Sequence, residues 1–243
     1  MYNFLKAVSK KIIPKEILLK NEDLFRKLML PFYQGSNHEC NLCNTKLRSF
    51  AILENGEKIC PICGSIPRTR RLFMLLETEY LKRNTTFLDF SPLRIMYRKL
   101  KKRKDINYFP SDFEDEFLAD HHFDITNIET ENDKFDLIVC YHILEHIIKD
   151  ELAMQELYRV LKNEGVLLIQ TPFKDGEIYE DHSITSMEER EKKFGQNNHV
   201  RIYSVDGLEK RLQNAGFQTE IRTFKKDDHF GLADNERIII CKK

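Results

Sequence analysis

The sequence predicts an α/β fold: a mostly parallel sheet covered by helices on both faces, with a small cysteine-rich element ahead of it. Three observations predict it. Short apolar runs alternate with amphipathic stretches from about residue 84 to the end, those runs close on acidic or turn-forming residues, and four of the six cysteines fall in two C-x-x-C pairs between 40 and 63. A chain of 243 residues holds one large domain with a small appendage. Lys plus Arg and Asp plus Glu both number 39, so no net charge advertises a polyanionic partner, and nucleic acid is not the expected one.

Residues 1 to about 35 read as helical, with Pro14 where a second helix can begin. Lys6, Lys10, Lys11, Lys15 and Lys20 break up the apolar residues Phe4, Leu5, Ile12 and Ile13, which argues against a signal peptide and for a helix packed on the main domain. No apolar run approaches the roughly 20 residues a membrane span needs. The expectation is a cytoplasmic chain with no membrane span.

Cys40-x-x-Cys43 and Cys60-x-x-Cys63 have the spacing of paired zinc knuckles, and Asn44 and Gly64, directly after each pair, suit the tight turns that wrap a metal ion. Four thiolates leave no open position, so the zinc is expected to be structural. Its net negative charge is expected to be offset by Lys46, Lys58, Arg68, Arg70 and Arg71, with His38 a bystander. From about 66 to 82, Leu72, Phe73, Leu76 and Tyr80 return to helical spacing.

Four strands follow, over 86–90, 106–109, 136–140 and 165–170. A helix carrying Ala153, Leu157, Val160 and Leu161 on one face precedes the last, with Gly165 placed to end it. Ser204 caps a helix with Val205, Leu208, Leu212 and Ala215 inward and Gly216 as its stop, and a pair of strands closes the chain over 217–224 and 237–241. Cys140 and Cys241, inside strands, read as small buried apolar residues. The polar stretch 172–203 is too long for a simple connection and reads as a lid or substrate loop.

In a parallel sheet, ligands bind beyond the carboxyl ends of the strands where the strand order reverses. Asp89 ends the first strand, Asp112 follows the second, where a carboxylate can accept ribose hydroxyls, and Asp124 stands in a third loop beside Ile125, suited to an adenine amino group. Three aspartates in register with strand ends point to a nucleoside site.

The stretch 135–172 carries a more specific signal. It runs from Phe135 through Leu144-Glu145-His146 to Glu156-Leu157-Tyr158-Arg159-Val160-Leu161-Lys162. It resembles the fourth strand, following helix and fifth strand of class I S-adenosylmethionine-dependent methyltransferases, and the resemblance extends over about 84–243. Tyr179-Glu180-Asp181 and the segment Phe194 to Tyr203 resemble a bacterial subgroup that joins a cysteine-rich N-terminal element to such a domain. The resemblance implies a Rossmann-like sheet, S-adenosylmethionine as methyl donor, and segments 1–37 (helical), 38–66 (zinc element) and 67–243 (methyltransferase). One departure stands out: the family's glycine-rich turn is replaced by Asp89-Phe90-Ser91-Pro92. On that resemblance the expected cofactor contacts are Asp89, Phe90, Ser91, Asp112, Asp124, Ile125, Tyr141, His142 and His146.

Methyl transfer is an in-line displacement, so the protein must hold donor and acceptor collinear and supply a base where the acceptor needs one. Of the residues in the 172–203 loop, His199 is expected as base or acceptor-orienting group, Arg201 as the ligand of an anion or carbonyl, and Asp181 as a further polar group. The acidic, amide-rich loop suits a small, hydroxylated metabolite such as a sugar, with a protein acceptor left open. The rival reading is a zinc-containing RNA- or protein-binding module with a degenerate methyltransferase-like domain, motivated by the basic run Tyr97 to Lys104. Such a run is more often a solvated helix face.

Overall fold

A computed structural model describes residues 22–243; the expected helix around Pro14 lies outside the described residues. The described residues pack as two compact units, 22–79 with Phe224–Glu236, and Tyr80–Thr223 with Arg237–Lys243.

In the first unit, helices α1 (Glu22–Lys27) and α2 (Leu30–Tyr33) lead into the antiparallel pair β1 (Gln34–Cys40) and β2 (Thr45–Leu47). A second antiparallel pair, β3 (Ala51–Ile52) and β4 (Lys58–Ile59), precedes α3 (Pro67–Leu75), which starts on proline, where a missing N–H costs nothing, and continues as a π turn over Leu76–Tyr80. Met29, Ala51 and Ile59 form a small core, with Tyr33, Leu53, Ile62 and Ile66 packed around it.

The second unit is built on a six-stranded sheet, β5 (Thr86–Phe90), β6 (Asn107–Ser111), β7 (Phe135–Tyr141), β8 (Leu161–Gln170), β11 (Gln218–Phe224) and β12 (Glu236–Lys242), in the order β11-β12-β8-β7-β5-β6. β6, β5, β7 and β8 run parallel, and β12 runs antiparallel to β8. After β5 the chain pairs first on one side, with β6, and then crosses to the other, with β7. The order therefore reverses at β5 and β7, whose carboxyl ends flank the switch point where open α/β sheets take ligands.

Helix α4 (Arg94–Leu100) follows β5, α5 (Asp150–Val160) follows β7, and α6 (Met187–Phe194) and α7 (Val205–Asn214) follow β8. Ala153, Met154, Leu157 and Val160 of α5 and Val205, Leu208 and Leu212 of α7 pack on Leu88, Ile138, Cys140, Leu167, Ile169 and Cys241 of one sheet face. Alternation turns Phe87, Leu137, Val139, Leu168, Ile238 and Ile240 to the opposite face, and these are buried as well. Ser204 caps α7 by accepting from Gly207 N at 3.1 Å, and Gly216, at φ 107°, ends it.

The helix before β8 departs from expectation. It stops at Val160, and Leu161 already has strand geometry and pairs with Phe135. The register then shifts before Leu137 pairs with Val166, with Glu164 at φ 63° making the turn ahead of Gly165. A Cβ at Gly165 would meet the Lys162 carbonyl oxygen at 2.8 Å, so the glycine serves a tight backbone approach inside a bulged strand rather than a helix stop. Among the described residues, no helix is long and apolar enough to cross a membrane.

Candidate functional site

The two strands that flank the switch point leave the sheet through left-handed residues other than glycine. Ser91, directly after β5, has φ 47°, and His142, directly after β7, has φ 56°. Such residues are uncommon and cost of order 1–3 kcal/mol unless their surroundings hold them. Ser91 is held twice: its N–H donates to Ser111 O at 2.7 Å and its hydroxyl to Asp112 Oδ1 at 2.6 Å. His142 N–H donates to Gln170 O at 2.8 Å, across to β8. The turn that resembled families build from glycine is thus made here by a serine locked to the aspartate after the neighbouring strand.

Asp112 is buried, and its second carboxylate oxygen accepts from Glu116 N at 2.7 Å and Phe117 N at 3.0 Å. A carboxylate has about four acceptor positions, so three are filled and about one remains. It can take one ribose hydroxyl as the loop stands; accepting both requires Ser91 to give up its place. Asp89 is fully buried in β5 and accepts from Tyr108 OH at 2.9 Å. Burial pushes its carboxyl up to about 7, with the Tyr108 hydrogen bond working against the rise.

Other expected cofactor contacts are placed differently. Asp124 Oδ1 accepts from both N and Oγ1 of Thr126 at 2.8 Å, an Asx turn that uses the carboxylate locally. Ile125 and Phe90 turn their side chains into the apolar core, which leaves only their backbones for a ligand. Tyr141 closes β7, with Gln170 of β8 as its partner in the ladder.

The 172–203 segment is an ordered excursion. Its strands β9 (Tyr179–Glu180) and β10 (Arg201–Ile202) pair antiparallel, with Glu180 opposite Arg201. Arg201, expected to bind substrate, is instead buried and engaged on every side. Its Nε donates to Glu180 Oε2 at 2.9 Å, and its two terminal nitrogens donate to the carbonyls of Leu144, Ile147 and Ile148. Arg211 extends the network to Asp150 at 2.6 Å and to Glu180, and Tyr203 OH donates to Asp150. Arg201 therefore clasps the loop to the turn after β7 and is not a substrate-facing cation. Asp181 is exposed and accepts from the N and Oγ of Ser183, a local turn contact.

That clasp brings His199 to the end of β7. Val200 N donates to Glu145 O at 2.9 Å, and the His146 and His199 rings meet edge to face with centroids 4.7 Å apart. Glu145, His146 and His199 present ligand-capable atoms all within 4.8 Å of one another. His142 Nδ1 lies 3.3 Å from Glu145 Oε1, and neither Glu145 oxygen makes a hydrogen bond. Burial works to raise the Glu145 carboxyl, but His142 outweighs it and holds the group below its ordinary range. Burial and the neighbouring His146 lower His199, so its imidazole is neutral at neutral pH.

In the first unit, Cys40, Cys43, Cys60 and Cys63 form one cluster. Sγ–Sγ separations are 3.6 Å for Cys40–Cys63 and 3.8 Å for Cys43–Cys60. Four sulfurs about 2.3 Å from a central ion in a tetrahedron stand about 3.8 Å apart, whereas a disulfide is about 2.0 Å. The donor set and spacing therefore fit zinc. Asn44 (φ 56°) and Gly64 (φ 78°) turn the chain after each pair, donating to Cys40 O and Cys60 O. His38 stands outside the cluster and donates from Nδ1 to Asp228 O at 2.7 Å.

Two of the five expected counter-charges, Arg71 and Arg70, are buried, Arg70 completely. Arg70 donates to the carbonyls of Ser65, Lys58, Phe230 and Gly231 and lies over the Phe50 ring at 4.3 Å. Burial lowers its guanidinium, and the charges of Cys40, Cys60 and Cys63 oppose that fall. Arg71 pairs with Glu236 at 2.7 Å, Lys58 with Asp228 at 3.1 Å and Arg68 with Glu57 at 3.8 Å, so those three answer other acids.

Two features escaped the sequence reading. Glu145 lies in the Leu144-Glu145-His146 stretch that carries the resemblance, but its residue type alone assigned it no role, and its buried carboxylate marks it out. The left-handed Ser91 and His142 carry no sequence signal, since neither is glycine or asparagine.

The profile of the methyltransferase domain family matches residues 53–220. An uncharacterized protein of Methanocaldococcus jannaschii is 32% identical over 98 residues, which cover 40% of this chain and 36% of that protein. The match thus spans little more than a third of that relative's length. Among solved structures, one from the complex between the Haloferax volcanii Trm112 methyltransferase activator and a methyltransferase aligns with 70% of this chain and 88% of its own, at 12% identity and a TM-score of 0.51. A SAM-dependent methyltransferase from Archaeoglobus fulgidus aligns with 72% of this chain and 91% of its own, at 17% identity and a TM-score of 0.48. At these identities the structural likeness is one of fold.

Proposed function

Because the chain belongs to the methyltransferase domain family and is an S-adenosylmethionine-dependent enzyme, we propose that it methylates a small hydroxylated metabolite at the carboxyl edge of β5 and β7. The observation that carries the reading is the Ser91–Asp112 lock at the switch point, a left-handed turn fixed against a buried carboxylate with acceptor capacity to spare. Asp112 holds a ribose hydroxyl in this account, and the backbone of Phe90 and Ser91 lines the same cradle. S-adenosylmethionine, when bound, supplies an electrophilic methyl group.

On the acceptor side stand His146, from the turn after β7, and His199, carried there by the β9–β10 excursion. A neutral His199 can accept a hydrogen bond or a proton from an acceptor hydroxyl and orient its oxygen. The Cys40, Cys43, Cys60 and Cys63 cluster holds one structural zinc ion, as its tetrahedral sulfur spacing supports.

The binding-module reading has less behind it. Lys101 pairs with Asp120 and Arg103 with Asp105, so part of the basic run is answered locally. The test is a screen of hydroxylated small molecules with methyl-labelled S-adenosylmethionine, run on the wild type and on His199→Ala. Label transfer that falls at least about tenfold in the variant supports the reading. Transfer to protein or RNA alone, or at the parental rate in the variant, overturns it.

A further inference from the structure

We propose that Glu145, His146 and His199 form a second metal site, for one first-row divalent transition ion, at the carboxyl end of β7. It is separate from the cysteine cluster; with the ion bound, His199 is a ligand rather than a free base, and it acts on the acceptor through the ion.

The first support is the donor set. Two imidazoles and one carboxylate, with ligand-capable atoms all within 4.8 Å of one another, are already close to a coordination sphere. Ligands about 2.1 Å from one ion stand about 3–4 Å apart, so side-chain movements of about 1 Å close the site. Imidazole nitrogen with carboxylate oxygen suits manganese, iron, cobalt or zinc, whereas magnesium and calcium prefer oxygen alone.

The second support is independent of the clustering. Both carboxylate oxygens of Glu145 are buried, and neither has a hydrogen-bond partner. A buried carboxylate without donors is strongly disfavoured unless a cation answers it. His142 Nδ1, 3.3 Å from Oε1, is the nearby group that can carry charge, and it leaves Oε2 unanswered.

The surroundings hold the ligands as a metal site needs. Glu145 and His146 lie in a 3-10 turn, Leu144–His146, to which the His199 segment is tied by the Val200 N to Glu145 O hydrogen bond and by Arg201 on the Leu144 and Ile147 carbonyls. Three protein ligands leave positions for water or for an oxygen of a bound acceptor, unlike the closed four-sulfur cluster.

The test is an Mn²⁺ titration of the full chain with its cysteine cluster zinc-loaded, free Mn²⁺ being read by electron paramagnetic resonance. Manganese is chosen because it prefers nitrogen and oxygen to thiolate. The proposal expects saturation near one ion per chain, with Glu145→Gln and His199→Ala each weakening binding at least about tenfold. Pulsed resonance on wild-type Mn²⁺ protein reads the site without any variant, and the expected result is nitrogen coupling from imidazole. Absence of saturable binding, absence of nitrogen coupling, or full affinity in both variants overturns the proposal. S-adenosylhomocysteine affinity, measured on the same samples, reports separately on the methyl-transfer reading.

Discussion

Ser91 donates from Oγ to Asp112 Oδ1 across 2.6 Å, joining the end of β5 to the residue after β6 from a backbone at φ 47°. The turn is bound by a side chain where resembled proteins rely on glycine. Ser91→Gly removes one hydrogen bond and also relieves the left-handed backbone, so its stability is expected within about 1 kcal/mol of wild type. Ser91→Val removes the bond and places a β-branched residue at positive φ, at a cost of about 2 kcal/mol or more. Urea unfolding of the two variants separates them.

Asp89 makes stability depend on pH in an unusual direction. Its carboxyl is raised to about 7 in the folded protein, against about 3.9 in an unfolded chain. Between those values the folded state holds a proton that the unfolded state releases. The contribution is complete below about pH 4 and is lost as pH rises toward 7, by at most about 4 kcal/mol for a shift of about three units. Asp89→Asn removes this slope. The difference in unfolding free energy between variant and wild type, followed from pH 4.5 to 8, is expected to move in the variant's favour as pH rises.

Arg201 stands between Glu180 and the carbonyls of the turn after β7. Its loss strands a partly buried carboxylate and three carbonyls, and breaking such a buried pair typically costs about 3–5 kcal/mol. Arg201→Ala is expected to lower the melting temperature and to loosen 172–203, seen as faster amide exchange in β9 and β10. Lysine cannot reproduce the forked donors, so Arg201→Lys is expected to recover only part of the loss.

These residues also show what the sequence carried. Strands 86–90 and 136–140 were legible because buried parallel strands read as short apolar runs, and α7 because Ser204 and Gly216 punctuate it. The cysteine pairs were legible because a metal fixes spacing along the chain. The contacts of Arg201 and Asp181 were not legible, because a polar loop looks the same whether its charges face substrate or one another. Ser91 was opaque because a hydrogen bond to Asp112, 21 residues on, allows a conformation its residue type does not announce.

The cysteine cluster predicts a metal dependence of its own. The four clustered sulfurs, with Arg70 among the buried cations of the same unit, are expected to bind one zinc ion tightly enough that its removal unfolds the first unit. Cys60→Ser should lose that zinc. Zinc quantified by emission spectroscopy, together with protease sensitivity between 38 and 66 after chelation, checks it. Unchanged protection without zinc would refute a structural role.

The most direct test of the account is isothermal titration of the purified, zinc-loaded protein with S-adenosylmethionine and S-adenosylhomocysteine, repeated on Asp112→Asn. The variant keeps an oxygen for Glu116 N and Phe117 N but loses the charged acceptor. The account predicts saturable micromolar binding of both ligands by wild type and at least about tenfold weaker binding by the variant, a loss of about 1.4 kcal/mol or more. No binding to wild type, or equal affinity in the variant, would contradict a cofactor site at the Ser91–Asp112 switch point.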